Sequence, residues 1–332
     1  MLRKLIVYGS SVRKRSTFWG NIFSMNKQNN TNRYKGIKYL EHPILPLVDM
    51  VQFLYLTGSF ETIAKVLEEM NENIEIKGSV YENPRQLLAP YVEILEDFEV
   101  VKGQRKLPYS FPFIVNEKQE PQAKLKALEL WIKQRVLTKE LESLNSILCE
   151  PCGCVLCCTG PDSEFDKAAG HKKAMQQEFF EIPLRQQEVG LFRLEKIDND
   201  ESRSLTAQSA AALELDGMPF YRHGMALYHW QNGWSLILPR GSVCPQLATG
   251  TKRCRIYGKR PEVCRRPQIF PYIVEELAEK AKRSDGTLIP VYMAREKILA
   301  VWDCPYVREY YDEIVAYAER SGLEPVFRKS KK

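Results

Sequence analysis

The sequence predicts an α+β protein: an N-terminal helical segment, a long connecting helix, then a small mixed cysteine-rich metal-binding domain with short strands and a C-terminal helix. Three observations carry that expectation. An apolar stripe at near-heptad spacing runs through residues 121–148. Strand-like runs and an Asn232-Gly233 turn signal follow it. Eight of the nine cysteines fall in two short stretches, 149–158 and 244–264, and the ninth is Cys304. At 332 residues the chain has room for two domains and a buried core.

Composition narrows the class further. Hydrophobic residues make up 44% and charged residues 27%, which is ordinary for a globular protein. No apolar run reaches the ~18 residues of a membrane span; the richest, 44–56, is broken by Pro46, Asp49 and Gln52. Leu5-Ile6-Val7 is too short for the apolar region of a secretory signal. A cytoplasmic, reducing location is therefore expected, where thiols ligate metals rather than pair. The formal charge of +6 belongs to the ends: residues 1–40 hold nine Lys/Arg and no acid, and Arg328, Lys329, Lys331 and Lys332 add four. Without these, 35 basic residues face 42 acidic ones, a net of −7. A nucleic-acid partner is not expected from such a balance.

In chain order, residues 1–38 read as a basic disordered leader, or as an extension upstream of a start at Met25. Their acid-free composition also fits an organelle-targeting presequence, the alternative to a cytoplasmic location. Residues 39–120 read as a small, mostly helical segment. Ile63, Val66, Leu67 and Met70 share one helical face, Pro84 opens a second helix carrying Leu87, Leu88, Val92 and Leu95, and 103–112 reads as a loop. Pro121 suits a first helical position. Leu125, Leu128, Ile132, Val136, Leu141, Leu144 and Leu148 then form the stripe of a helix over 121–148, roughly 40 Å long. That helix delivers the chain directly to Cys149.

Residues 149–322 read as the cysteine-cluster domain. Residues 179–184 look like a strand, 185–194 a helical turn, 197–217 a surface insertion, and 229–238 a hairpin leading into Cys244. An amphipathic helix is expected over 306–320, closed by Gly322, with a basic tail at 323–332.

Placement, rather than number, makes the cysteines informative. Scattered buried cysteines behave as small hydrophobes. Five within ten residues, flanked by Gly153, Pro151 and Glu150, cannot all be core residues, and a two-residue spacer lets neighbouring thiolates meet one ion. Adjacent Cys157 and Cys158 do not easily share an ion, so they serve two metals or one of them is structural. Lys252, Arg253, Arg255, Lys259, Arg260, Arg265 and Arg266 surround the second stretch, opposed only by Glu262. Arg255, Arg260 and Arg265 are the candidate cofactor-facing donors, able to hydrogen-bond ligating sulfur. A nucleic-acid reading of this patch lacks an aromatic platform.

The pattern Cys149-x2-Cys152…Cys157-Cys158, then Cys244-Pro245, Leu247, Cys254, Ile256-Tyr257, Arg260-Pro261 and Cys264-Arg265, resembles the YkgJ-type cysteine-cluster family. Its domains chelate zinc or iron and also occur in flagellin lysine methylases. Phe270-Pro271 and Ile182-Pro183-Leu184 through Glu188 fit as well, and Cys304-Pro305 lies where such domains carry their last cysteine. The first stretch departs from the family spacing, since four residues separate Cys152 from Cys157. Either Cys149 and Cys152 are ligands with an insertion after them, or Cys154 replaces one; Cys154 is taken as the spare.

The resemblance implies metal ligands at Cys149, Cys152, Cys157, Cys158, Cys244, Cys254, Cys264 and Cys304. Eight sulfurs suit two [4Fe-4S] sites, with zinc the close alternative. The expected role is redox or metal-carrier, with an unidentified protein partner. The alternatives are a zinc-stapled interaction module, or an enzyme subunit related to flagellin lysine methylases. The three-cysteine radical spacing Cys-x3-Cys-x2-Cys and a Gly-rich dinucleotide fingerprint are both absent. Oligomeric state is not legible.

Overall fold

Helix α1 (Lys27–Glu41) is the first element of the computed structural model, which describes residues 27–107, 111–163, 177–266, 268–283 and 285–329. Helix thus occupies twelve residues that composition had assigned to a disordered leader; the rest of that stretch lies outside the described residues. Helices α2 (Leu45–Thr57) and α3 (Ile63–Glu68) follow, the latter capped by the Thr62 hydroxyl accepting from the Lys65 amide. Strands β1 (Asn73–Ile76) and β2 (Ser79–Glu82) form a hairpin absent from the sequence expectation. Its turn, Lys77-Gly78, has positive φ at both residues, as a tight hairpin requires. Pro84 does open a helix, but as two short pieces, α4 (Pro84–Leu88) and α5 (Val92–Leu95).

Strand β3 (Phe113–Val115) precedes α6 (Lys124–Cys152), the long helix. It starts later than expected because Pro121 bridges back to Val115, and it ends later, taking in Cys149, Glu150, Pro151 and Cys152. Leu125 is exposed, whereas Leu128, Ile132, Val136, Leu141, Leu144 and Leu148 are buried.

Strand β4 (Phe179–Leu184) matches its expected bounds. Helix α7 (Asp200–Ser204) and strand β6 (Glu214–Leu215) then occupy the expected surface insertion, with strands β5 (Lys196–Ile197) and β7 (Met218–Pro219) at its two ends. It is no mere surface loop: Ala207, Ala210 and Leu213 are buried against Phe220, Tyr228 and Trp230. The hairpin of β8 (Ala226–Trp230) and β9 (Gly233–Pro239) turns at Gln231-Asn232, with Gly233 at φ +114 paired to Trp230. These strands form a mixed sheet in the order β4-β9-β8-β5.

After β10 (Leu247–Ala248), β11 (Arg253–Cys254) and the single turn α8 (Glu262–Arg265) come two long antiparallel strands, β12 (Ile269–Lys282) and β13 (Leu288–Val301). Neither long strand was expected from the sequence. The expected C-terminal helix divides at Tyr310 into α9 (Pro305–Glu309) and α10 (Tyr311–Arg320). The expected tail folds in part as β14 (Glu324–Arg328), which pairs in parallel with β13, as β3 does nearer the start of the same strand.

The largest core runs from Leu40 to Leu323 and joins the N-terminal helices, α6, β12, β13 and the C-terminal helices. The sequence boundaries at 120/121 and 148/149 therefore do not separate cores. Helix α6 lies across β12 and clamps it with two amides. Gln134 Oε1 accepts from the Ile273 and Val274 amides (2.9 and 3.2 Å), at the bulge between Tyr272 and Val274. Asn145, about three turns on, does the same at the start of the strand (below).

On another side of the helix Glu140 is buried, with Oε1 accepting from the Ile44 amide (3.0 Å) and Oε2 from the Tyr317 hydroxyl (2.6 Å). It ties α2 and α10 to α6. Burial raises its carboxyl from the ordinary 4.5 to about 7, although both hydrogen bonds oppose the rise. A carboxyl raised in the folded state binds its proton more tightly there than in the unfolded chain. Its stabilising contribution is therefore complete below pH 4.5 and is lost as pH rises through about 7. Glu140→Gln is expected to remove that dependence. Denaturant unfolding should find the variant more stable than the parent at pH 8, by up to about 3 kcal/mol, and the gap should close near pH 5.

Candidate metal centre

Helix α6 ends where the first cysteines lie. Proline in its last turn and Gly153 beyond it (φ +56) stop the helix. Val155 then also takes a left-handed conformation (φ +57) although it is β-branched and buried, a strain of order 1–3 kcal/mol. The two reversals fold residues 153–155 back, leaving Cys154 beside Cys152. A single helical turn, Leu156–Cys158, is closed by the Cys158 amide donating to the Val155 carbonyl (2.8 Å).

The second stretch is joined to the first by backbone. The Cys244 amide donates to the Cys158 carbonyl (2.8 Å), the Gly160 amide to the Ser242 carbonyl (2.9 Å) and the Gly241 amide to the Pro161 carbonyl (2.7 Å), around a Thr159–Val243 bridge. Gly160 is required for this approach: a Cβ there would lie 2.0 Å from the Pro239 carbonyl oxygen. The turn carrying Cys264 is held by Glu188, whose Oε1 accepts from the Glu262 amide (2.8 Å) while Oε2 accepts from the Arg185 amide (2.8 Å).

Asn145 fixes the remaining segment. Its amide donates to the Arg266 and Ile269 carbonyls (2.9 and 2.6 Å), and its Oδ1 accepts from the Gln268 and Ile269 amides and the Tyr306 hydroxyl (3.0, 3.0 and 2.7 Å). One buried side chain thereby relates α6, the exit from Cys264 and the helix after Cys304.

These restraints gather all nine cysteines, none in a disulfide. Cys149, Cys154, Cys157 and Cys158 from the first stretch and Cys244, Cys254 and Cys264 from the second line one cavity of about 230 Å³. Cys157 and Cys158 sulfurs lie 3.8 Å apart. Cys152, Cys154 and Cys304 form a tighter group, all three sulfurs within 4.8 Å of one another. Of the eight expected ligands, six line the cavity and two lie in this trio. Cys154, set aside from sequence, belongs to both.

The crowding is electrostatic as well as spatial. Side-chain hydrogen bonds from Cys152 and Cys304 pull Cys154 down to about 4, while Cys154 pushes Cys152 up to about 12 and both neighbours push Cys304 up. Burial raises Cys264 to about 12 and also raises Cys244 and Cys254; Cys157 and burial raise Cys149. Thiols packed this way cannot ionise together without a compensating cation, and a bound metal is such a cation. The donor set thus fits zinc or iron, both of which take all-thiolate ligation.

Of the three arginines expected to face a cofactor, Arg260 is the one placed among the thiols. It is buried, stacks on Tyr257 (3.8 Å to the ring centre), and donates to the Tyr257 and Cys264 carbonyls and to Ser146 Oγ (3.1, 3.2 and 2.9 Å). Its charge eases ionisation of Cys149, Cys254 and Cys264. Arg255 is exposed and donates to the Pro245 carbonyl (3.1 Å); Arg265 reaches the Arg260 carbonyl and Glu142. His223 binds the Leu215 carbonyl, and His229 bonds Asp198 and stacks on Trp234, so neither faces the thiols. His171 lies outside the described residues.

Gly160 and Asn145 escaped the sequence analysis. Asn145 left a signal: at Leu141, Leu144, Asn145, Leu148 it occupies the apolar face of α6, where a polar side chain needs partners. Gly160 left none, since only the approach of residue 239 makes it special.

Residues 148–285 match the family model described as "CxxCxxCC: Putative zinc- or iron-chelating domain". The resemblance carried by the motifs is thus borne out over that stretch, which takes in every cysteine but Cys304. The match and the gathered thiols together support a metal-chelating role. No curated protein and no solved structure matches the chain. Among the described residues, no helix is long and apolar enough to cross a membrane.

Gly160→Ala is expected to force residues 158–161 away from 239–244. Elemental analysis of the purified variant should find reduced metal content, and thermal unfolding should show a lower midpoint. Gly190→Ala, where a Cβ meets open space, should leave both unchanged.

Proposed function

We propose that the cavity thiols hold an iron–sulfur group, and that the protein serves in a redox or metal-carrier role with a protein partner. The observation that supports this most is the cavity itself. Seven thiols from two remote stretches line about 230 Å³, far more than the ~10–15 Å³ that a single water-sized occupant needs. A polynuclear cluster uses such a space and such a donor set; a lone ion does not. When bound, the cluster would supply one-electron chemistry or transferable iron. Cys149, Cys157, Cys158, Cys244, Cys254 and Cys264 would hold it. Arg260, buried beside them, would offset part of the thiolate charge. Ile182, Phe192 and Leu247 on the cavity wall would limit water, which raises the energetic weight of that charge.

The zinc reading draws on a different observation. The cysteine loops tie α6, the sheet of β8 and β9, and the C-terminal helices together, as a structural staple does.

Anaerobic purification followed by analysis for iron, zinc and acid-labile sulfide separates the two. Iron with sulfide, and a broad visible band that bleaches on reduction with dithionite, are the expected results. Cys264→Ser should lower bound iron by about half or more, since ligand loss and metal loss are coupled. A colourless protein holding zinc in the cavity overturns the iron–sulfur assignment in favour of the staple.

A further inference from the structure

We propose that Cys152, Cys154 and Cys304 form a second metal site, distinct from the cavity group and suited to one thiophilic divalent ion of the zinc type. The proposal builds on the metal-binding reading of the cavity, from which it separates this trio. The three sulfurs already lie within 4.8 Å of one another. Sulfurs bound to one zinc at ~2.3 Å stand about 4 Å apart, so small side-chain adjustments bring them into range.

The trio is a different set from the cavity's. Cys152 and Cys304 do not line the cavity, and Cys304 is buried in the large core. Only Cys154 faces both. Each member is held by its own backbone element. Cys152 ends α6, Cys154 sits between the left-handed Gly153 and Val155, and Cys304 caps α9, its carbonyl accepting from the Arg308 amide (3.2 Å). The Cys304 amide in turn donates to the Val301 carbonyl (3.1 Å), so the residue is fixed on both sides. Presentation from three rigid anchors lowers the ordering needed to bind an ion.

The resemblance places ligands at Cys152 and Cys304, but the family match does not single out this group of three. Cys304 lies outside the matched residues 148–285, and Cys154 stands where the spacing departs from Cys-x2-Cys-x2-Cys-Cys. Three sulfur donors, with no carboxylate or carbonyl among them, select a soft or borderline ion over magnesium or calcium. The nine thiols then divide into six that belong to the cavity alone and three that meet at the end of α6.

The test compares metal content per chain in anaerobically purified full-length protein and its variants. Cys304→Ala and Cys152→Ser should each lose about one equivalent of zinc and keep the iron, sulfide and visible band. Cys264→Ser should do the reverse. Loss of iron and zinc together in the trio variants, or no zinc loss in them, overturns the proposal. If Cys264→Ser keeps its iron while the trio variants lose zinc, the cavity assignment fails and the trio site stands. Should Cys304→Ala not fold, Cys152→Ser at its less buried position carries the test. Cobalt(II) offered to the zinc-depleted parent should develop thiolate-to-metal charge transfer that Cys152→Ser weakens; an equal signal in that variant also overturns the site.

Discussion

Backbone pairing between residues 158–161 and 239–244 is the constraint on which the rest of the thiol arrangement depends. Side chains as short as cysteine's cannot reach across a gap, so the main chains that carry them must first come into register. Loop-closure entropy rises only slowly with length, which is why a long intervening segment with its own sheet costs little. The close approach leaves no room for a Cβ at residue 160, and the geometry of the centre is thus bound to one glycine.

Helix α6 is the other half of that arrangement. Its apolar face packs in the largest core, yet three polar side chains on or beside that face, Gln134, Glu140 and Asn145, carry the specificity. Apolar packing alone tolerates sliding; a buried amide with five partners does not, because any displacement leaves donors and acceptors unpaired at a cost of about 1–3 kcal/mol each. Asn145 sits one turn before the first cysteine, so the fixed register of α6 against β12 is passed on to the thiols. Arg260 belongs to the same logic: its donors are spent on Ser146 and on main-chain carbonyls, which leaves its position beside the sulfurs determined by the fold.

What could be read in the sequence followed from local chemistry. The spacing of apolar residues gave α6, Asn232-Gly233 marked a hairpin within one residue, and the cysteine motifs pointed to a metal-chelating domain that the family match supports. What could not be read was decided by contacts between distant residues. Strands β12 and β13 have little clean alternation, since charged residues interrupt them where they face solvent. Residues 197–217 looked superficial because Ala207 and Ala210 are small, and smallness there reflects tight packing against Phe220 and Trp230. The basic tail hid β14, whose pairing partner lies in β13. Cys154 seemed surplus only while distance along the chain stood in for distance in space; the left-handed turn at Val155 undoes that equivalence.

The position of Cys304 has a consequence for how the protein is made. Chains emerge from the ribosome N-terminus first and domains fold as they are completed, so α6 and both members of the trio near its end exist long before their third sulfur does. Cys304 follows β13, the strand to which both β12 and β14 pair. Until that strand has been synthesised, Cys152 and Cys154 form an incomplete pair beside a half-built core, exposed to oxidants and to the wrong ions. A site built on all three sulfurs can therefore be complete only late, after nearly every other element of the fold is in hand.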